Sequence, residues 1–246
     1  MEPIYSQNFT IDRVHLDCFG RCKPSSLLFF AQEAAENHCL LLSADWRTLQ
    51  KKNLFWAVIR QKVQVTRLPG HGETITVETW PMPTTRVAFP RSTVAYDDNG
   101  NEVFRAISLW VLMDMNTRAM VLPGKSGVIV EGTLRGNELA FPGSLLPKPL
   151  ENRMLRTVRF SQLDRNGHMN NTRYLDWVMD LLPGVFHQDH PAREFTICYQ
   201  SEAREQDEIA LSWQLLDGPV LAVDAHRTGT DVPAGKQLVF SARMRF

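Results

Sequence analysis

A short motif occurs twice in this chain, and the two copies constrain the fold more than any other feature of the sequence. The segment Leu16–Gly20 reads Leu-Asp-x-x-Gly, and the segment Leu163–Gly167 repeats that pattern 147 positions later. The same offset aligns two more pairs of apolar residues, Leu28 with Leu175 and Phe30 with Trp177. Five matches at one offset predict that the chain contains two copies of one structural unit.

Both copies carry the same order of predicted elements: a strand, then a helix, then further strands. In the first copy a strand-like piece at 8–14 precedes a helical pattern from about Pro24 to Leu42, and strand-like runs follow at 54–67, 74–81, 87–96 and 103–113. The second copy has a strand at 154–160, a helix at about 172–182, and strands at 195–203, 208–216, 220–227 and 237–246. Each unit is therefore expected to be one helix packed on its own curved antiparallel sheet, in the α+β class.

Glycines and prolines separate the two copies. They recur through residues 131–152, where they interrupt any long helix or strand. We therefore predict an N-terminal unit over residues 1–130, a linker over 131–152 and a C-terminal unit over 153–246.

Charge and composition exclude several classes of protein. Lys and Arg together number 27, and so do Asp and Glu, which leaves no net charge to attract nucleic acid or an anionic membrane. The first residues lack the basic and apolar regions of a signal peptide, and no stretch of about 18 apolar residues occurs. The four cysteines are too few for a disulfide framework and lack the spacing of a zinc site. We expect a soluble cytoplasmic protein with no membrane span, no metal and no cofactor.

A polar segment precedes the second predicted helix and differs from its counterpart in the first copy. It contains Asp164, Asn166 and His168, whereas the first copy keeps the Asp and the Gly but has Phe19 and Arg21 at the other two positions. Asp and Gly are the residues that a turn needs, so turn formation alone explains part of the segment. Turn formation does not explain Asn166 and His168, and these two residues indicate a catalytic role for the second copy only.

Three stretches of the sequence resemble the acyl-acyl carrier protein thioesterases. The first is Asp164-x-Asn166-x-His168-Met-Asn-Asn with Tyr174 and Trp177 after it, which is similar to the active-site segment of that family. The stretches 54–58 and 106–118 resemble the first domain of the family, and 199–203 resembles the strand that supplies an acidic residue to the site. The resemblance extends from about Phe9 to Phe246 and keeps the order of the motifs.

The resemblance implies a fold, an activity and a set of site residues. The fold is a tandem (double) hot-dog, in which each unit is a long helix wrapped by a curved antiparallel sheet. The activity is hydrolysis of the thioester of fatty acyl-acyl carrier protein, which releases free fatty acid and ends chain elongation. The implied catalytic residues are Asp164, Asn166, His168 and Glu202. The N-terminal unit holds the acyl chain, with wall candidates Phe30, Ala34, Trp56, Val58 and Trp110.

Hydrolysis of a thioester needs a base for water and a donor for the developing oxyanion. We assign the first role to Glu202, alone or with His168, and the second to the Asn166 amide or a backbone N–H at the start of the second helix. Asp164 then orients its neighbours; an alternative mechanism makes Asp164 the nucleophile through a transient anhydride. Plant members commonly carry a cysteine where this chain has Ala203, and Cys198 is predicted on the opposite face of that strand, so a cysteine mechanism is not favoured.

The implied partner is acyl carrier protein, which bears the acyl group on phosphopantetheine and is acidic. Arg153, Arg156 and Arg159 form a basic stretch that could dock it, although a solvated strand face explains these residues equally well. Other functions stay open: an acyl-CoA thioesterase, a hot-dog acyl hydratase or dehydratase, and a non-catalytic acyl-binding module. Hydratases usually have more residues between Asn and His, and a binding module does not need either. Acyl chain length, saturation and a homodimer are left open by the sequence.

Overall fold

The computed structural model describes residues 3–229 and 237–246. The chain divides into two compact units, Met1–Pro142 and Gly143–Phe246, and the division falls inside the predicted linker.

The N-terminal unit is an antiparallel sheet with one long helix. The bounds of its elements are β1 Tyr5–Thr10, α1 Pro24–Leu41, α2 Trp46–Gln50, β2 Leu54–Val65, β3 Thr74–Pro81, β4 Phe89–Asp97, β5 Glu102–Asp114, β6 Met120–Val121 and α3 Pro123–Ser126. The strands pair in the order β1-β3-β4-β5-β2, with the short β6 beside β5. Helix α1 packs against β1 and β3.

Helix α1 confirms the predicted long helix of the first copy. Pro24 occupies its first turn, where a missing backbone N–H costs no hydrogen bond. Its buried face carries Leu27, Phe30 and Ala34, which are fully enclosed. Although α1 is the longest helix, neither it nor any other helix in the described part of the chain is long and apolar enough to cross a membrane.

The C-terminal unit repeats this plan in fewer residues. The bounds of its elements are β7 Asn152–Thr157, α4 Arg173–Met179, α5 Gly184–Asp189, β8 Glu194–Tyr199, β9 Glu208–Leu216, β10 Val220–Arg227 and β11 Leu238–Arg245. The strands pair in the order β8-β11-β10-β9-β7. Helix α5 follows shortly after α4 because Pro183 cannot continue α4, and the Met179 carbonyl instead lies 2.9 Å from the His187 ring. The predicted helix 172–182 is thus too long.

The predicted linker has no regular structure but is bound to protein along its length. Its first part lies on the N-terminal unit, where the Thr133 N–H donates to the Pro81 carbonyl at 2.9 Å. Gly132 passes so close to Met82 that a Cβ would lie 2.2 Å from the Met82 carbonyl carbon, which explains the glycine. Its last part lies on the C-terminal unit, where the Lys148 N–H donates to the buried Asp224 carboxylate at 3.0 Å.

Candidate active site

The segment 164–168 is a turn whose shape is set by Asp164 and Gly167. The Asp164 Oδ1 atom accepts hydrogen bonds from the backbone N–H of Asn166 at 2.8 Å and of His168 at 3.2 Å. The Asp164 N–H donates to the His168 carbonyl at 2.8 Å, and Gly167 has a φ of +75°. The carboxylate therefore holds its own turn closed, and the glycine supplies the positive φ that the turn requires.

The first copy contains the same turn with other side chains. The Asp17 Oδ1 atom accepts from the N–H groups of Phe19 at 2.9 Å and Arg21 at 3.0 Å, and Gly20 has a φ of +74°. The Asp17 N–H donates to the Arg21 carbonyl at 2.8 Å. Turn formation therefore accounts for the aspartate and the glycine in both halves, and it does not account for Asn166 or His168.

The turn brings the His168 imidazole to the Glu202 carboxylate. The His168 Nε2 atom lies 3.2 Å from Glu202 Oε2. His168 is only 7% exposed, while the Glu202 side chain is 35% exposed and so reaches solvent. Backbone bonds join the two segments, since the Met169 N–H donates to the Ala203 carbonyl at 2.8 Å. The pair thus has one buried and one water-accessible member.

Glu202 lies in a loop, which corrects the predicted strand 195–203. Strand β8 ends at Tyr199 because the N–H groups of Gln200 and Ser201 both donate to the Val239 carbonyl, at 2.9 and 3.2 Å. Because two successive N–H groups share one acceptor, the regular strand pairing ends here. The prediction that Cys198 and Ala203 lie on opposite faces of one regular strand therefore does not apply. The structure instead buries the Cys198 thiol near the Gly143 carbonyl at 3.6 Å.

The loop that carries Glu202 is held by Asp207 and Arg227, which the sequence analysis did not single out. The Arg227 Nη2 atom donates to the Glu202 carbonyl at 2.5 Å and lies 2.9 Å from Asp207 Oδ2. The same Asp207 oxygen accepts from the Arg204 N–H at 2.9 Å. Asp207 lies within a run of mixed charges, and Arg227 lies at the end of a strand 20 residues further along the chain, so no local spacing in the sequence connects the two residues.

Two tyrosines, the buried Tyr174 and the partly buried Tyr199, pack near the segment that follows the turn. The Tyr199 hydroxyl donates to the Asn171 carbonyl at 3.0 Å, and its ring centroid lies 5.5 Å from that of Tyr174. Burial raises the pKa of Tyr174 and of Tyr199 above the ordinary value for a phenol. Both therefore remain neutral and act as packing groups with a hydrogen-bonding end.

The backbone N–H groups at the start of α4 are less available to a substrate oxygen than expected. Asn170 accepts the Thr172 N–H at 3.0 Å with its side chain and the Arg173 N–H at 2.9 Å with its carbonyl. These donors are therefore already used. The exposed Asn166 amide has two N–H groups, and the one contact it makes among the described residues, to Asp164 Oδ2, is long at 3.4 Å. Of the two alternatives for the oxyanion donor, the Asn166 amide is the one whose N–H groups are less used by other protein atoms.

The residues of the N-terminal unit that were predicted to line the acyl-chain pocket fall into two groups. Trp56, Val58 and Trp110 lie together, since Val58 pairs with Trp110 across β2 and β5, and both tryptophans pack on a cluster that includes Phe89. Phe30 instead packs on Phe9, with ring centroids 5.0 Å apart, and Ala34 is buried on the same helix. Phe89 also lines an open groove of about 740 Å³ together with residues 84–86, 122–125 and 128–130. The sequence missed Phe89, whose strand pattern marks it only as core.

The three arginines proposed for carrier docking do not share one surface. Arg153 and Arg156 lie three residues apart on β7 and so point to opposite faces. The Arg156 Nη2 atom is 3.0 Å from Asp180 Oδ2, while Arg153 and Arg159 are exposed. In the residues that the structure describes, no three His, Cys, Asp or Glu side chains are grouped to hold a metal ion.

Two family models match the sequence. The model described as the acyl-ACP thioesterase N-terminal domain matches residues 2–122, and the one described as the C-terminal domain matches residues 149–231. A chloroplastic palmitoyl-acyl carrier protein thioesterase from Gossypium hirsutum is 29% identical over 214 residues, covering 81% of this chain and 52% of that protein. An oleoyl-acyl carrier protein thioesterase from Arabidopsis thaliana is 24% identical over 232 residues, covering 83% and 62%. The chain spans about half the length of such curated relatives.

Solved structures share the fold along the whole chain. An acyl-ACP thioesterase from Bacteroides thetaiotaomicron superposes with a TM-score of 0.82 at 23% identity, covering 99% of this chain and 98% of that one. A 12:0-ACP thioesterase from Umbellularia californica also gives 0.82 at 23% identity, covering 100% and 97%. The predicted tandem hot-dog fold is confirmed by this likeness.

Proposed function

This chain belongs to the acyl-ACP thioesterase family, and on that premise we propose that it hydrolyses the thioester of a fatty acyl group carried by acyl carrier protein. The observation that carries the proposal is the contact between His168 and Glu202 beside the Asp164 turn, inside the stretch that the C-terminal family model matches. The products are free fatty acid and the thiol of the carrier. The cytoplasmic location of this chain and its assembly as a homodimer stay predictions.

Glu202 acts as the general base in this proposal. Its carboxylate is partly exposed, so water can reach it, and one of its oxygens contacts the buried His168 ring. The imidazole fixes the direction of the carboxylate and can share the proton taken from water. A thiolate leaving group, with a pKa near 8.5, needs little help from an acid. One base and one oxyanion donor therefore suffice for the reaction.

The Asn166 amide is assigned to the oxyanion. Loss of one such donor typically costs about 2.7–4 kcal/mol of transition-state stabilisation. Asn166→Ala is therefore expected to lower kcat about a hundredfold or more. The turn should persist in that variant because Asp164 bonds the backbone N–H at position 166 and not the side chain alone. Unchanged turnover would remove Asn166 from the mechanism.

Asp164 is assigned a positioning role. Its Oδ1 atom already accepts two backbone N–H bonds and its Oδ2 atom faces the Asn166 amide, which favours attack by water over a covalent anhydride. The two routes differ in where labelled oxygen goes during a single turnover in labelled water. The anhydride route puts label into Asp164 when water attacks the aspartyl carbonyl of the anhydride, whereas direct attack on the thioester puts label only into the fatty acid. Label in Asp164 would overturn this assignment.

Release of free thiol from acyl-carrier substrates of several chain lengths tests the proposed function. Glu202→Gln should lower kcat strongly, while Glu205→Gln, an exposed acid on the same loop, should not. A hydratase would instead add water to an enoyl thioester without releasing thiol, and a binding module would do neither. Failure to release thiol from any thioester would reject the proposal.

The N-terminal unit is assigned to the acyl chain and the exposed arginines of the C-terminal unit to the carrier. Trp56, Val58 and Trp110 are the wall residues that lie together, which supports their assignment over that of Phe30 and Ala34. Arg153→Glu is expected to raise KM for the carrier-linked substrate more than for the matching coenzyme A thioester. Arg156→Glu serves as the comparison, since Asp180 already pairs with that arginine. Equal effects of Arg153→Glu on both substrates would dismiss the docking assignment.

A further inference from the structure

We propose that Arg227 is a positioning residue that holds Glu202 against His168, an inference that rests on the proposed function. Glu202 sits in the loop 202–207, which has left the sheet, so strand pairing does not fix its backbone. Arg227 closes the two ends of this loop with a single guanidinium group. It is 16% exposed at its side chain and lies at the end of β10, paired in register with Ile209 of β9.

The contacts of the guanidinium reach both ends of the loop. The Nη2 atom donates to the Glu202 carbonyl at 2.5 Å, and the Nε atom donates to Asp207 Oδ2 at 3.0 Å. The planar group presents its donors in a fixed fork, so it can hold a carbonyl and a carboxylate at a set separation. Asp207 in turn accepts the Arg204 N–H at 2.9 Å, which tightens the loop around the same carboxylate.

A second backbone bond fixes the next peptide. The Ala203 carbonyl accepts the Met169 N–H at 2.8 Å, directly after His168. Two successive carbonyls, those of Glu202 and Ala203, are therefore anchored, one by Arg227 and one by the turn. With its backbone fixed in this way, the Glu202 side chain has only its own torsions left to move, and it reaches His168 at 3.2 Å.

The first copy shows that the loop can form without such a contact. The equivalent backbone bond joins the Cys22 N–H to the Pro69 carbonyl at 2.8 Å, which places Leu68 where the second copy has Glu202. The arginine beside this loop, Arg67, binds two carboxylates, Glu73 at 2.6 Å and Asp97 at 3.1 Å. Among the described residues Arg67 makes no contact with the Leu68 carbonyl. The bond from a guanidinium to the carbonyl at this position is therefore found in the copy that carries the Glu202 carboxylate, and the fold of the loop does not require it.

Arg227→Met removes both contacts, and Arg243→Met is its matched control. Arg243 lies on β11 and pairs with Asp224 at 3.3 Å, but its contacts do not include the loop 202–207. Both variants lose an ion pair with a partly buried arginine, so both should lose thermal stability. Only Arg227→Met is expected to lower kcat, on the order of tenfold or more, with KM within about threefold, because a catalytic group displaced by about 1 Å loses much of its effect.

NMR of the His168 imidazole nitrogens gives a readout that does not depend on activity. In the wild-type protein the Nε2 resonance should respond to Glu202→Gln. In Arg227→Met the same resonance should move toward its position in Glu202→Gln, while Arg243→Met should leave it unchanged. If no thioester is cleaved by the wild-type protein, the proposed function fails, but this measurement still tests whether Arg227 holds Glu202 in place.

The results that overturn the inference are specific. A kcat for Arg227→Met equal to that of Arg243→Met, or an Nε2 resonance unchanged from wild type, would reject the positioning role. Should Arg227→Met not fold, Arg227→Lys decides the matter. A lysine has one nitrogen and cannot hold both acceptors, so kcat should fall severalfold while the melting temperature stays close to wild type. Full activity of Arg227→Lys would also reject the inference.

Discussion

Removal of the aspartate from either turn should lower the free energy of unfolding by a similar amount, but only removal of the second aspartate, Asp164, should lower the catalytic rate. Asp17→Ala and Asp164→Ala each delete a carboxylate oxygen that accepts two backbone N–H bonds, at 2.9 and 3.0 Å in the first turn and at 2.8 and 3.2 Å in the second. The geometry of the two turns is the same, so the cost to folding should be similar. Only the second turn carries Asn166 and His168.

The expected cost follows from the number of bonds lost. A hydrogen bond of this kind contributes about 1 kcal/mol net, so two of them give about 2 kcal/mol for each variant. For a chain of this length that corresponds to a fall of about 4–8 °C in Tm. Asp17→Asn keeps an oxygen that can accept both N–H bonds and should lose less than about 1 kcal/mol.

Chemical denaturation and thiol release together measure the two effects. Asp17→Ala should keep kcat at a temperature where it is folded, whereas Asp164→Ala should lose most of it. Asp98→Ala serves as the control for loss of charge, because Asp98 is exposed and has no hydrogen-bond partner among the described residues. A loss below about 0.5 kcal/mol for Asp17→Ala, or an equal loss for Asp98→Ala, would refute the view that the carboxylate holds the turn.

Three further predictions concern strain, thiol chemistry and acid stability. Gln206 has a φ of +68°, so Gln206→Gly should relieve strain and leave the free energy of unfolding unchanged or raised by about 1 kcal/mol in urea titrations; clear destabilisation would contradict this. Burial raises the pKa of the Cys22 thiol to about 12, so alkylation at pH 8 followed by mass spectrometry should label the exposed Cys18 and spare Cys22. Hydrogen bonds lower the pKa of three carboxyl groups of the N-terminal unit, so the stability that they provide is present above the unfolded pKa near 3.8 and is lost as pH falls through the folded values. The hydrogen-exchange protection factors of the N-terminal unit, which correct for the intrinsic exchange rate at each pH, should therefore fall below about pH 4, and unchanged protection would contradict the role of these groups, Asp45, Asp97 and Asp114.

The sequence predicted most strands and the first helix because their apolar patterns are regular. The ranges 74–81, 208–216 and 220–227 coincide with β3, β9 and β10, and α1 differs from its prediction by one residue. The error at the end of β8 falls where a hydrogen bond outside the local pattern decides the boundary. Strand β8 ends early because two N–H groups share the Val239 carbonyl, and no hydrophobic alternation encodes that shared acceptor.

The site could be predicted only as far as the motif extends. Asp164, Asn166 and His168 stand in one turn, and the comparison of the two copies separates the residues of the turn from the remaining ones. The position of Glu202 beside His168 was implied only by the resemblance, because a loop between two strands has no period. Arg227 could not be found from the sequence, since its role depends on a carbonyl that any residue would provide.

Because the two turns share the same backbone bonds, the fold of each half can be conserved while the remaining side chains of the turn change. Main-chain bonds, one aspartate and one glycine preserve the frame in each half, so a duplicated ancestor could discard the reactive side chains of one copy without losing its architecture. The reverse path is equally short. Phe19→Asn, Arg21→His and Leu68→Glu would place the proposed catalytic side chains of the second copy on the turn and loop of the first, and thiol release by that variant would show whether these side chains suffice for a second site.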